Sequence, residues 1–201
     1  MNKVSLIVIA LILTLLGLIY HQEDNIDLSY TQLNSQNNFF EEDMIIKTTK
    51  GSVLSNNYFE DKISLIFFGY VNCPDFCPDT LTRMNILFKQ IDEDGTNASV
   101  QLLFVSVDIE NDSSDVIKKY LEYFNDDFIG LSMSEPTLER LAKSIGIYYK
   151  KISTEGEIDF YDHTGSIFIL NKQGRLAGLY SPPFDIKLIR DDMSTLVKRN
   201  N

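Results

Sequence analysis

Two cysteines, Cys73 and Cys77, share one short stretch, Gly69-Tyr70-Val71-Asn72-Cys73-Pro74-Asp75-Phe76-Cys77-Pro78, and the chain has no others. Thiols are nucleophiles, redox couples and soft metal ligands, so any chemistry is to be sought here first. Three uses are open. Exported cysteines readily form a structural disulfide, but a bridge closing so short a loop gains little, because its entropic benefit grows with loop length. The pair can be the active dithiol of a thiol–disulfide oxidoreductase. It can also hold a metal. A helix amino terminus stabilises a nearby anion by about 0.3–1 kcal/mol, up to ~2, which lowers a thiol pKa by roughly one unit. Asp75 and Asp79 work the other way, and no Lys, Arg or His lies between Tyr70 and Thr82. The local sequence therefore does not build a strongly acidic thiol. A bound cation would supply the missing positive charge and deprotonate both sulfurs.

Ligand counting narrows the metal. The chain has two histidines, His21 and His163. Two thiolates with at most one imidazole are too few for a closed structural zinc site, which wants four ligands. Cu(I) accepts two or three soft ligands, and Cu(II) tolerates sulfur, imidazole and oxygen together, so copper fits best. His21 borders an apolar amino-terminal segment, far along the chain from the cysteines. His163 lies in Phe160-Tyr161-Asp162-His163-Thr164-Gly165. Spacing alone leaves it as either a hydrogen-bonded structural residue or a metal ligand.

The elements that must position these residues read as an α/β domain. Residues 63–69 (ISLIFFG) and 102–107 (LLFVSV) are apolar runs suited to strands buried on both faces. After the first run, Leu81, Met84, Phe88 and Ile91 recur at helical spacing, with the helix starting at Pro78 and Cys77 at its edge, since a residue before proline avoids helical conformation. After the second, Val116, Ile117, Tyr120, Leu121 and Phe124 form one helical face. Ser134 and Pro136 open a further helix that Gly146 closes. Short strands follow at 158–161 and 167–170. Asn171-Lys172-Gln173-Gly174 turns into another strand at 175–180, and Asp185 caps a final helix. The order β-α-β-α-(α)-β-β-α predicts a three-layer domain with a mixed central sheet.

Composition and the leading segment address location. Of 201 residues, 44% are hydrophobic and 11% aromatic, enough to fill a core and to exclude wholesale disorder. Eighteen basic against 29 acidic residues give −11, which argues against nucleic-acid binding and against docking on anionic lipid through a basic patch. Residues 4–20 carry no charge and follow Lys3, while Glu23, Asp24 and Asp27 come after. At 1.5 Å rise per residue this stretch is about the minimum for spanning a ~30 Å hydrocarbon core, with the amino terminus inside. No small-residue cleavage pattern follows it. Three parts are therefore expected: a single-pass anchor over residues 1–20, a tether over 21–40, and a domain over 41–201 in the periplasm of a bacterial inner membrane.

The cysteine stretch, from Phe68 through Pro78, and Tyr161-Asp162-His163-Thr164 resemble the two signatures of the Sco/SenC copper proteins, which assist assembly of the dinuclear copper centre of cytochrome c oxidase. Ser106-Val107-Asp108-Ile109-Glu110-Asn111-Asp112, Phe128-Ile129-Gly130-Leu131, Gly146-Ile147-Tyr148-Tyr149-Lys150-Lys151 and Ile169-Leu170-Asn171-Lys172-Gln173-Gly174-Arg175-Leu176 also follow the family pattern, so the likeness runs over about residues 40–200. The resemblance implies a thioredoxin-like fold with one copper ion, Cu(I) or Cu(II), held by Cys73, Cys77 and His163. It makes Asp162 an outer neighbour orienting the ring or polarising the site, and offers Asp108 and Asp112 as further outer candidates. It implies a membrane-anchored metallochaperone whose partners are the copper-centre subunit of the oxidase and a periplasmic thiol reductant or another copper chaperone. The same residues also suit a thiol–disulfide reductase that keeps the oxidase's copper-ligand cysteines reduced, with Cys73 and Cys77 as its catalytic dithiol, or a copper or redox sensor. Two positions depart from the pattern: Val71, where the family commonly has threonine, and Asn111, where it commonly has arginine.

Overall fold

The computed structural model describes residues 28–33, 38–41, 43–51, 56–59, 61–95, 97–152 and 159–199, with positions 9, 11, 12 and 14 of the leading segment. Its centre is a pair of parallel strands, β3 (Ile63–Gly69) and β4 (Val100–Ser106), in register from Ile63 opposite Val100 to Gly69 opposite Ser106. Every residue of both strands is buried. That is what near-continuous apolar runs are for: they form where a sheet is covered on both faces.

Five further strands extend the sheet on either side. Around β3 lie β8 (Ile167–Leu170), β9 (Leu176–Tyr180) and β1 (Thr31–Gln32), and around β4 lie β5 (Ile129–Met133) and β2 (Ile46–Thr48). The order is β1-β9-β8-β3-β4-β5-β2, with β3, β4 and β5 parallel and the other pairings antiparallel. One face carries α1 (Phe76–Glu93), α2 (Ser114–Glu122) and α4 (Ile186–Arg199), which bury Leu81, Met84, Ile117, Leu121, Ile189 and Met193 against Leu65, Phe67 and Phe104. The other face carries α3 (Glu135–Ile145), whose Leu138 and Leu141 pack with Ile66, Phe68, Val105 and Leu131. The three layers and the mixed sheet are those expected. A separate hairpin, β6 (Tyr149–Ile152) with β7 (Phe160–His163), stands beside the sheet.

The differences have local causes. Strands β1, β2, β5 and β6 were not anticipated. The first two are two and three residues long, Gly130 interrupts β5, and β6 reads YKKI with no alternation. On α2 only Ile117 and Leu121 are buried, whereas Val116 faces outward. The strand expected at 158–161 begins at Phe160 and runs on to His163; Ile158 lies outside the described residues. Gly146 ends α3 in the left-handed region at φ 75°, as its position after the last apolar residue requires.

The expected anchor falls outside the described residues except at the four leading positions, and no described helix is long and apolar enough to cross a membrane. Part of the stretch expected as a tether is docked. Thr31 and Gln32 pair with Leu179 and Gly178 of β9. The Ser29 N–H and hydroxyl donate to the buried Asp192 carboxylate, which also accepts from the Tyr180 hydroxyl at 2.8 Å. Phe39 and Phe40 are buried, and the Phe39 N–H donates to the Gly174 carbonyl at 2.9 Å. The folded body thus takes in residues before 41. A two-residue strand and one aromatic pair leave no periodic mark in a polar sequence.

Candidate metal centre

Strand β3 delivers the chain to the loop before α1, the place where open α/β sheets put their ligands. The helix begins at Phe76, two residues earlier than expected, so Cys77 lies in its first turn. Proline is tolerated at Pro78 because first-turn N–H groups have no helical partner to lose. Packing against the core overrides the preference of a residue before proline. Asp75, at the helix start, makes no side-chain cap bond. The Cys77 N–H donates instead to the Cys73 sulfur at 3.4 Å, so one site residue caps the turn that carries the other.

Room for the buried sulfur comes from Gly69. A Cβ there would stand 2.8 Å from Cys77 Sγ and 2.9 Å from the Phe104 ring. Gly69→Ala is expected to push the sulfur off its position, costing about 1–3 kcal/mol as overpacking does. Urea unfolding and copper competition measured together check this. Unchanged copper affinity would show that Gly69 does not set the position of Cys77.

His163 arrives from the hairpin. It closes β7 opposite Tyr149, and the hairpin is tied beyond it by Thr164 N–H to the Tyr148 carbonyl at 2.9 Å. His163 Nδ1 is 3.2 Å from the Thr164 carbonyl. A carbonyl only accepts, so Nδ1 carries the proton and Nε2 presents its lone pair. Nε2 lies 3.7 Å from Cys77 Sγ. Phe67, Tyr70 and Phe76 surround the imidazole with ring centroids 6.4, 6.0 and 6.3 Å away.

One ligand atom from each of Cys73, Cys77 and His163 lies within 4.8 Å of the others. Donors about 2.0–2.3 Å from a single ion in a trigonal arrangement stand about 3.5–4.0 Å apart, taking zinc's distances as a guide. The separation of Cys77 Sγ from His163 Nε2 is already in that range, and a small contraction completes the set. Both cysteines are free thiols in this structure. A soft, low-coordinate ion suits two sulfurs and one imidazole.

The electrostatics of the pair are not those expected from sequence. The Cys77 thiol hydrogen-bonds to the Cys73 sulfur and holds it well below the ordinary thiol range, burial opposes this, and His163 adds to it. Cys77, fully buried, is pushed up, first by its bond to Cys73 and then by burial. The stabilising donor is the neighbouring thiol itself, which a search for nearby cations does not find.

The three acidic candidates divide. Asp162 is exposed and sits one residue from His163 on a strand, hence on the opposite face. It is therefore not the group that orients the ring; the Thr164 carbonyl is. Asp112 is buried and braces the cysteine loop, one carboxylate oxygen accepting from the Val71 N–H at 2.9 Å and the Ser106 hydroxyl at 2.6 Å. Burial raises its pKa. Asp108 is also buried and accepts from the Tyr161 hydroxyl at 3.1 Å and the Asn111 amide at 2.9–3.0 Å. Asn111, where an arginine was the expectation, thus pairs with Asp108 without bringing a charge. Beside it, Lys151 of β6 pairs with Glu110 at 2.6 Å and Asp159 at 2.9 Å. Both aspartates hold the frame and neither meets a ligand atom directly. Sequence reasoning missed Thr164, Ser106 and the aromatic enclosure as site residues. Strand alternation alone would have turned Asp162 away.

Comparison with known proteins agrees with this geometry. The family described as SCO1/SenC matches residues 34–198. A putative copper-binding protein of Stutzerimonas stutzeri is 33% identical over 123 residues, 61% of this chain and 59% of that protein. The mitochondrial SCO2 homolog of Bos taurus is 28% identical over 145 residues, 72% of this chain and 54% of that protein. The chain thus spans a little over half the length of these curated relatives. Among solved structures, Bradyrhizobium japonicum ScoI with copper bound superposes with a TM-score of 0.69 at 27% identity, covering 76% of this chain and 96% of that one. With its two cysteines and one histidine converging at the end of β3, and with the match running over most of its length, this chain belongs to the SCO1/SenC family.

Proposed function

We propose that the protein is a membrane-anchored, periplasmic copper metallochaperone that hands one copper ion to the dinuclear copper centre of cytochrome c oxidase. The observation that carries the reading is the convergence of Cys73, Cys77 and His163 within 4.8 Å. The softness of that donor set and the copper named for the relatives support copper over zinc. The anchor and the periplasmic address rest on the uncharged residues 4–20 and the charges that flank them. Copper is cargo here. In transfer, an incoming thiolate of the recipient forms a bond to copper as one of the chain's own sulfurs leaves it, so the ion never becomes bare and no electron is exchanged. Both cysteines must be reduced beforehand, which calls for a thiol reductant or a second chaperone.

The test is copper titration of the full reduced chain beside its Cys73→Ser variant. The parent is expected to take up close to one ion per chain and the variant to bind far more weakly. Equal binding by the two would end the proposal.

One observation favours a second reading. Cys73 is half-buried and lowered, while Cys77 is fully buried and raised. That is also the arrangement of an attacking and a resolving thiol, so a reductase acting on the oxidase's copper-ligand cysteines uses the same pair. The imidazole separates the two readings, because dithiol exchange does not need it.

A further inference from the structure

Strand register fixes where the leading part of the chain joins the folded body. β8 runs antiparallel to β3 with Ile167 opposite Phe67, so it begins at the end of the sheet where β3 delivers the cysteine loop. β9 returns beside it with Tyr180 opposite Ile167, and β1 pairs with β9 with Thr31 opposite Leu179. That register brings Tyr30 to the row of Tyr180, and the two rings meet edge-on at 5.7 Å. Ser29 is held to Asp192 through its N–H and its hydroxyl, and Leu28, like Cys73, packs against the core cluster that contains Cys77. The chain therefore enters the sheet at the copper end. It does so three strands from β3, which is about 14 Å at ordinary strand spacing. The opposite end of the domain carries Ile63 at the start of β3 and the end of α1, where Asp94 pairs with Arg190 of α4.

Residues 21–27 separate this entry from the uncharged residues 4–20. A stretch of that length reaches at most about 25 Å. Turning the copper end away from the bilayer takes most of that reach, because β3 alone is about 20 Å long, and a chain drawn to its limit loses nearly all its conformations. Adhesion to lipid does not supply the orientation. Asp75, Asp79 and Asp162 are exposed around the ligands, and anionic headgroups repel them. We infer that the amino-terminal connection holds the copper end of the domain toward the bilayer, so that the ion is offered to an acceptor carried in the same membrane. The inference rests on the anchor and copper readings above and adds which end of the domain meets the partner.

The test uses the full chain with labelled isoleucine methyl groups, in phosphatidylcholine nanodiscs that carry a gadolinium chelate on some headgroups. Ile109, beyond the end of β4, and Ile167 report on the copper end; Ile63 and Ile91 report on the other. The first two signals are expected to broaden severalfold more than the second two. A second form carries a Gly/Ser segment of about twelve residues inserted after Gln22, and its two ends should broaden more nearly alike. Both forms are then loaded with Cu(I) on vesicles bearing a Cu(I) chelator linked to the lipid headgroup. The inserted form should unload about fourfold more slowly, because local concentration falls roughly as the −3/2 power of tether length. Equal broadening of the two ends, or greater broadening at Ile63 and Ile91, would overturn the inference while leaving the anchor and copper readings intact. Unchanged or faster unloading by the inserted form would overturn it as well, since a longer connection helps only a site that faces away. A chain that an alkaline wash strips from the vesicles would remove the anchor reading and this inference with it. An anchored chain that takes up no copper would remove the copper reading and the inference likewise.

Discussion

The His163→Ala chain is expected to bind copper on the order of 100- to 1000-fold more weakly than the parent, yet to reduce small disulfides at nearly the parent rate. The first half follows from sharing. Metal-binding energies of about 10–16 kcal/mol over four ligands put roughly 3–4 kcal/mol on each, and ~1.4 kcal/mol is tenfold in affinity. The second half follows from what lowers Cys73: its bond from Cys77 comes first and His163 contributes less. Chelator competition for Cu(I) and the rate of reduction of a small aromatic disulfide check the two halves. Affinity within threefold of the parent would mean that the imidazole is not a ligand, despite its 3.7 Å approach to the sulfur.

Phe68→Ala is expected to cost about 3–5 kcal/mol, the range for removing a fully buried aromatic ring. Phe68 has no exposed surface and meets Phe168 edge-on at 6.1 Å in the cluster beneath α3. Against a total of about 5–15 kcal/mol this is a large share, and for a chain of this size it lowers Tm by roughly 6–20 °C. Copper affinity measured well below the transition should stay within about twofold. Strand alternation sends Phe68 to one face of the sheet and Phe67 to the other, where Cys77 and His163 lie. A copper loss as great as the stability loss would show that the two faces are coupled through β3.

The ligands were legible in the chain because they lie in two compact motifs, and a pattern of residue types survives without coordinates. The centre of the sheet was legible for a different reason: strands buried on both faces must be apolar throughout, as β3 and β4 are. What escaped lacks either mark. The short β1 and β2 belong to the sheet through backbone bonds that any side chain permits. Asp112 reaches Val71 across 41 positions, and only the parallel pairing of β3 with β4 brings them together. Asp162 came from the resemblance, and strand alternation turns its side chain to the face opposite His163. The bond from Cys77 that lowers Cys73 leaves no mark in the sequence, because its donor is a thiol rather than a cation.

Cys77 has no exposed surface, while Cys73 is half open. A visiting nucleophile can therefore touch the bound ion first along the Cys73 flank, and departure has a built-in sequence. On the proposed delivery reading the Cys73 bond would open first and the Cys77 bond last, and loading would follow the reverse order.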